Sequence, residues 1–165
     1  MSPVTFTRLE NGDFQLQTEQ MLPHPVEPVF DFFADADNLE AITPPWLNFR
    51  ITTSLPIDMK KGAIIEYRLR LRIVPIRWKT LISDWVPNER FVDEALKSPY
   101  KLWHHTHEFE PVEGGTLVRD TVRYRVPFGG LVERLFVRSE LRKIFEYRYA
   151  QMEKIFSADE SPVAS

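Results

Sequence analysis

A chain of 165 residues has the length of one domain rather than two, enough to bury roughly two-thirds of its unfolded surface. Its net charge of −3 comes from 21 basic and 24 acidic residues well mixed along the sequence, leaving no whole-molecule field aimed at nucleic acid or anionic membrane. The absence of cysteine excludes disulfides, thiolate chemistry and cysteine-based zinc sites, while an aromatic content of 13% suits a large apolar interior.

Residues 1–17 lack the apolar core of a signal peptide, and no run approaches the roughly 20 apolar residues of a spanning helix. A soluble, cytoplasmic protein with no stable membrane insertion is expected. Phe14, Leu16, Thr18, Gln20 and Leu22 alternate with Gln15, Gln17, Glu19 and Met21, which predicts a first strand stopped by Pro23 and Pro25. Val26, Val29, Phe30 and Phe33 then recur at helical spacing, with Pro28 near the helix start. Asp37 or Asn38 caps a second short helix through Ile42, and Pro44-Pro45 end it.

Strands dominate from Asn48. NFRITTSL is one and IIEYRLRLRIV another, with Tyr67, Leu69, Leu71 and Ile73 on one face and Arg68, Arg70 and Arg72 on the other. Val74-Pro75 is expected to break that run before IRWKTLISDWV, in which Ile76, Trp78, Thr80 and Ile82 alternate with Arg77 and Lys79. RFVDEAL, KLWHHTHEFEP and TLVRDTVRYRVP supply three more, making seven strands joined by short turns, an antiparallel meander. Pro127 and Gly129-Gly130 close the last, and a long helix follows whose stripe is Leu141, Phe145, Tyr149, Met152 and Phe156. One sheet with an apolar face and one amphipathic helix have a single packing solution, the sheet curling around the helix, and the enclosed volume exceeds what the stripe fills. The expected fold is α+β over residues 1–156, with 157–165 a small, polar, flexible tail.

This order of elements resembles the helix-grip (START/Bet v 1-like) fold of the START-like (SRPBCC) superfamily, which includes polyketide cyclase/dehydrase and coenzyme-Q-binding START proteins. The stretches that carry the resemblance are FDFFADADNLEAITPPWLNF, RWKTLISDWVPNERFVDEALKSPYKLWHHTHEF, the GGT turn followed by DTVRYRVPFG, and IFEYRYAQMEKIF. It spans Phe14 to Phe156. It implies a deep cavity between the C-terminal helix and a concave seven-stranded sheet, entered near the two short helices and holding an apolar small molecule. It implies no shared catalytic residues.

The stretch YKLWHHTHEFEP carries three histidines. Alternation puts Trp103, His105, His107 and Phe109 on the inner face and sends His104 out with Leu102, Thr106 and Glu108. A two-residue turn at Glu113-Gly114 would oppose Phe109 to Val118, His107 to Asp120, His105 to Val122 and Trp103 to Tyr124. Opposed Cβ atoms lie about 4.5–5.5 Å apart, so a His107–Asp120 hydrogen bond is reachable.

Three readings of this wall stay open. Asp120 and His107 could satisfy one another as a structural pair in an apolar interior. His105, His107, Asp120 and Tyr124 could hold the polar end of a ligand whose apolar body meets Trp103, Phe109, Val122, Tyr67, Leu69 and Trp78. His107 oriented by Asp120 could act as an acid–base pair in a cyclase or dehydratase, with Tyr124 as hydrogen-bond donor. No metal is expected, because no cysteine or further inward histidine completes a ligand set, and no cofactor is implied.

Arg148, near the stripe of the long helix, could reach a pocket carboxylate such as Asp120 or Glu66, or lie along the surface. The row Arg68, Arg70, Arg72, Arg77 and Lys79 reads as a solvated sheet face, without the exposed aromatics that nucleic-acid binding would interleave. No nucleotide fingerprint, phosphate loop or nucleophile motif occurs, which favours binding a small hydrophobic molecule (a lipid, quinone or polyketide-like compound) over chemistry. A protein-interaction module with a collapsed cavity is the further alternative.

Overall fold

Eight antiparallel strands form one sheet in the order β1-β2-β8-β7-β6-β5-β4-β3, seen in a computed structural model that describes residues 2–157. The strands are β1 (Thr5–Arg8), β2 (Phe14–Leu22), β3 (Arg50–Ile51), β4 (Ile64–Leu71), β5 (Val74–Val86), β6 (Arg90–Lys97), β7 (Leu102–Val112) and β8 (Gly115–Arg125). Between β2 and β3 run helix α1 (Val26–Ala34) and two 3-10 segments, Ala36–Ile42 and Pro45–Leu47. After β8 come α2 (Gly130–Val132), a π-helical turn (Glu133–Val137) and the long helix α3 (Arg138–Ile155). The tail expected at 157–165 lies, apart from its first residue, outside the described residues.

The sheet wraps the long helix as the patterning requires. Leu141 and Phe145 of α3 pack with Leu16, Val122 and Tyr124, while Met152 and Phe156 pack with Leu22, Val118, Phe109 and the Phe30–Phe33 face of α1. Each such side chain contributes about 1.5–3 kcal/mol on burial. Gln20 of β2 donates to the Tyr149 carbonyl at 2.9 Å, tying sheet to helix. No helix among the described residues is long and apolar enough to cross a membrane.

Three local expectations are corrected. The sheet has eight strands rather than seven, because TFTR pairs with β2, and four residues are too few for a readable period. The strand expected over Asn48–Leu55 shrinks to Arg50–Ile51. The β4–β5 turn falls at Arg72-Ile73, with Leu71 opposite Val74, so Pro75 opens a strand instead of breaking one.

The β7–β8 register is the one the turn at Glu113-Gly114 dictates: Trp103, His105, His107 and Phe109 oppose Tyr124, Val122, Asp120 and Val118. Gly114 takes the positive φ of 87° that the turn demands. Gly115 serves a different need, since a Cβ there would sit 2.0 Å from the Leu22 carbonyl oxygen. Gly115→Ala is therefore expected to push β8 off β2 and cost about 2 kcal/mol or more, an overpacking penalty. Urea denaturation monitored by tryptophan fluorescence would check it; an unchanged midpoint would show that β2 yields freely.

Candidate functional site

A cavity of about 190 Å³ lies between α3 and the half of the sheet formed by β4 to β7. Tyr67, Leu69 and Leu71 of β4 line one wall, and Trp78, Thr80 and Ile82 of β5 the next. Ala36, Leu39 and Ile42 of the first 3-10 segment roof it, and Leu141, Ile144, Phe145 and Arg148 come from α3. The tyrosine, tryptophans and phenylalanines interlock: Tyr67 stacks on Trp78 at 6.0 Å, and Trp78 meets Trp103 edge-on at 5.4 Å. Burial raises the Tyr67 and Tyr100 phenols, which stay neutral.

One end of this apolar chamber is polar. Asp93, His105, His107 and Arg148 face the cavity, and Asp120 sits behind the two imidazoles. The two rings stack with centroids 3.7 Å apart. Each carboxylate opposes one histidine across the sheet and bonds the diagonal one more closely. Asp120 is opposite His107 but approaches His105 Nε2 at 2.8 Å, and Asp93 is opposite His105 but approaches His107 Nε2 at 2.6 Å. The weaker legs close the square, His107 Nδ1 to Asp120 at 3.2 Å and His105 Nδ1 to Asp93 at 3.6 Å. Arg148 Nη2 donates to Asp120 Oδ1 at 3.4 Å, and Thr18 Oγ1 donates to Asp120 Oδ2 at 3.3 Å.

The charges sort themselves. Burial alone would raise both carboxyls, but the charge of Arg148 and the bonds from His105 and His107 hold Asp120 well below the usual carboxylate range. Asp93 is likewise held low against its burial by the charge of His105 and the bond from His107. Burial depresses both imidazoles; for His107 the bonds to Asp120 and Asp93 outweigh it and raise the pKa. For His105 burial and the neighbouring His107 charge prevail, and its pKa falls. The group thus combines two carboxyls held low, one guanidinium, and two imidazoles shifted in opposite directions. Mutual hydrogen bonding among acidic and basic side chains is what offsets the cost of burying them together.

Among the described residues, Asp93, His105 and His107 each offer a ligand atom, all within 4.8 Å of one another, a set that could hold a metal ion. The third donor, absent from the sequence argument, comes from β6. Two of these donors also bond one another, His107 Nε2 to Asp93 at 2.6 Å, with Arg148 Nη2 3.4 Å from His107 Nδ1.

Of the suggested ligand contacts, Trp103, His105, His107, Tyr67, Leu69 and Trp78 line the cavity. Phe109 and Val122 lie in the packed core, and Asp120 is behind the wall. Tyr124 is also core, its hydroxyl donating at 2.8 Å to Glu133, which Arg138 pairs in turn through two bonds of 3.0 Å. Its donor is committed away from the cavity. Arg148 reaches the carboxylate Asp120 rather than the surface. Asp93 was missed, although its alternation with the apolar Phe91 already placed it on the inner face.

The sequence model of a family described as polyketide cyclase / dehydrase and lipid transport matches residues 22–152. No curated protein sequence matches. Among solved structures, a protein from Chromobacterium violaceum is 15% identical with a TM-score of 0.68, covering 88% of this chain and 99% of its own. Ara h 8.0201 is 12% identical with a TM-score of 0.67, covering 90% of this chain and 100% of its own. A nucleoside-diphosphate sugar epimerase from Corynebacterium glutamicum is 26% identical with a TM-score of 0.64; the match covers 84% of this chain but only 28% of that one.

Proposed function

The chain belongs to the polyketide cyclase / dehydrase and lipid transport family, and from that membership we propose that residues 1–156 form one ligand-binding domain, a cytoplasmic carrier or sensor for a compact hydrophobic molecule with one polar end. The observation that carries the reading is the pairing of an aromatic-lined cavity with a hydrogen-bonded polar wall at one end. Pockets of this composition orient a ligand by a few polar contacts and hold it by apolar area.

A volume of about 190 Å³ suits a ring compound, quinone-like or polyketide-like, better than a two-chain lipid. Its hydroxyl or carbonyl would meet His105, His107 or Arg148, and its rings would stack within the Tyr67, Trp78 and Trp103 walls. An open interior also argues against an interaction module with a collapsed cavity. Native mass spectrometry of the purified chain tests the reading: a co-purifying lipophile is expected, and an empty protein that also fails to take up the naphthalene probe 1-anilinonaphthalene-8-sulfonate would refute it.

A second reading rests on His107. It faces the cavity, is oriented by Asp93 and Asp120, and has its pKa raised by the bonds to them, which favours a general-acid role in a cyclase or dehydratase step. His107→Gln separates the two readings. For a binder, probe affinity should change by no more than about tenfold. For an enzyme, turnover of the co-purified compound would vanish while binding persists.

The same variant has a pH signature. Because the pKa of His107 is raised on folding, the stability it contributes is full below the ordinary histidine value of about 6.5 and is lost as pH rises through the raised value. His107→Gln should flatten that decline in melting temperature, measured by circular dichroism.

A further inference from the structure

Six of the eleven large apolar side chains exposed among the described residues fall in two short segments. Ile73 and Val74 form the tip of the β4–β5 hairpin, and Phe128, Leu131, Leu135 and Phe136 lie on the turn and helical start that lead into α3. Phe128 and Ile73 are each 88% exposed. The segments touch where the Arg72 guanidinium lies 5.9 Å from the centre of the Phe136 ring.

Both segments hold a bulky residue where glycine or asparagine is preferred. Arg72 has φ 58° at the hairpin turn, and Phe128 has φ 68°. Neither side chain gains burial in return for that conformation, since both are exposed.

The charge around these residues is one-sided, unlike that of the whole chain. Arg68, Arg70, Arg72 and Arg77 are exposed, and no acidic residue occurs between Glu66 and Asp84. Arg134 is exposed on the helical segment, where Glu133 is buried and neutralised by Arg138 and Glu140 is half-buried. We propose that this apolar cluster with its arginine rim is a docking surface for an anionic lipid bilayer, the hairpin tip and the Phe128–Phe136 segment inserting together at the headgroup level. Apolar area and basic charge are the two components that interfacial binding combines. The aliphatic Ile73, Val74, Leu131 and Leu135 insert into acyl chains but cannot stack on bases, so a bilayer fits the surface better than nucleic acid. Leu71 lines the cavity one residue before Arg72, so docking here would set the ligand chamber next to the membrane.

The test is sedimentation of the full chain with vesicles of phosphatidylcholine alone or mixed with phosphatidylglycerol. Co-sedimentation with the mixed vesicles only, weakening as salt is raised, is expected. The double variant Phe128→Asn/Phe136→Ser, chosen because asparagine accepts the left-handed backbone at 128, should bind these vesicles about tenfold or more weakly. Its melting temperature and its uptake of the naphthalene probe should match the parent. The proposal is overturned if the parent stays in the supernatant with both vesicle types, or if the double variant sediments equally well. It is also overturned if analytical ultracentrifugation finds a dimer that the double variant abolishes while vesicles are ignored, which would assign the surface to a second copy of the chain. An empty cavity in native mass spectrometry would defeat the ligand reading and leave the vesicle result standing.

Discussion

Asp120→Ala is expected to lower folding stability by about 3–5 kcal/mol, the loss seen when one partner of a buried ionic group is removed. Asp120 takes bonds from His105 and Thr18 and faces the Arg148 guanidinium, and all four side chains are withdrawn from solvent. Deleting it leaves the Arg148 guanidinium without its carboxylate partner and His105 with only the longer 3.6 Å approach of Asp93. Urea denaturation measures the loss, and a change below about 1 kcal/mol would mean that water reaches the group freely. Should the alanine variant fail to fold, Asp120→Asn keeps the shape and removes only the charge. Adding Arg148→Met to it should then recover part of the loss, because a buried pair replaced by apolar neighbours often costs little.

The same carboxyl predicts an acid limb. Its pKa is depressed on folding, so its contribution is whole above the ordinary aspartate value of about 3.9 and is lost as pH falls through the depressed value. Asp93 is depressed as well and adds to the limb. Asp120→Asn should make stability less steep below about pH 4 without abolishing the dependence.

Ile144→Trp is expected to abolish ligand uptake with little effect on folding. Ile144 lines the cavity from α3, and an indole there occupies space the ligand would need within about 190 Å³. A loss of at least about a hundredfold in affinity for 1-anilinonaphthalene-8-sulfonate corresponds to about 2.7 kcal/mol. The fold should tolerate the change because the added atoms fill a void instead of displacing a packed neighbour. Leu69→Trp closes the same chamber from the β4 wall and guards against a local distortion of the helix. If both variants bind the probe as tightly as the parent, the chamber is not where the probe binds.

Short-range rules made much of this molecule readable. The faces of β7 follow from period two, and its register against β8 from a two-residue turn, which together put His104 outside and Asp120 opposite His107. What those rules do not carry is how side chains reach diagonally. The expected His107–Asp120 bond is the 3.2 Å leg of a square whose short legs are His105–Asp120 and His107–Asp93. Asp93 enters through β6, where alternation with Phe91 gives its face but only the β6–β7 register sets it opposite His105. Tyr124 shows the converse, an inward residue by alternation whose hydroxyl is captured by Glu133 from a helical segment nine positions on.

By itself, then, the sequence determined the periodicities: which residues face inward on each strand, the stripe of α3, and the wrapping of a one-faced sheet around a single helix. Those are local consequences of backbone geometry and of burying apolar area. What needed the tertiary fold was the volume left between sheet and helix, the four-way contact among Asp93, His105, His107 and Asp120, and the direction in which Arg148 points. It also decided that Arg72, at the turn after β4, lies against the exposed Phe136 from the far end of the chain. Each depends on side chains distant in sequence approaching within a few ångströms, and that distance is set by how the whole sheet curls.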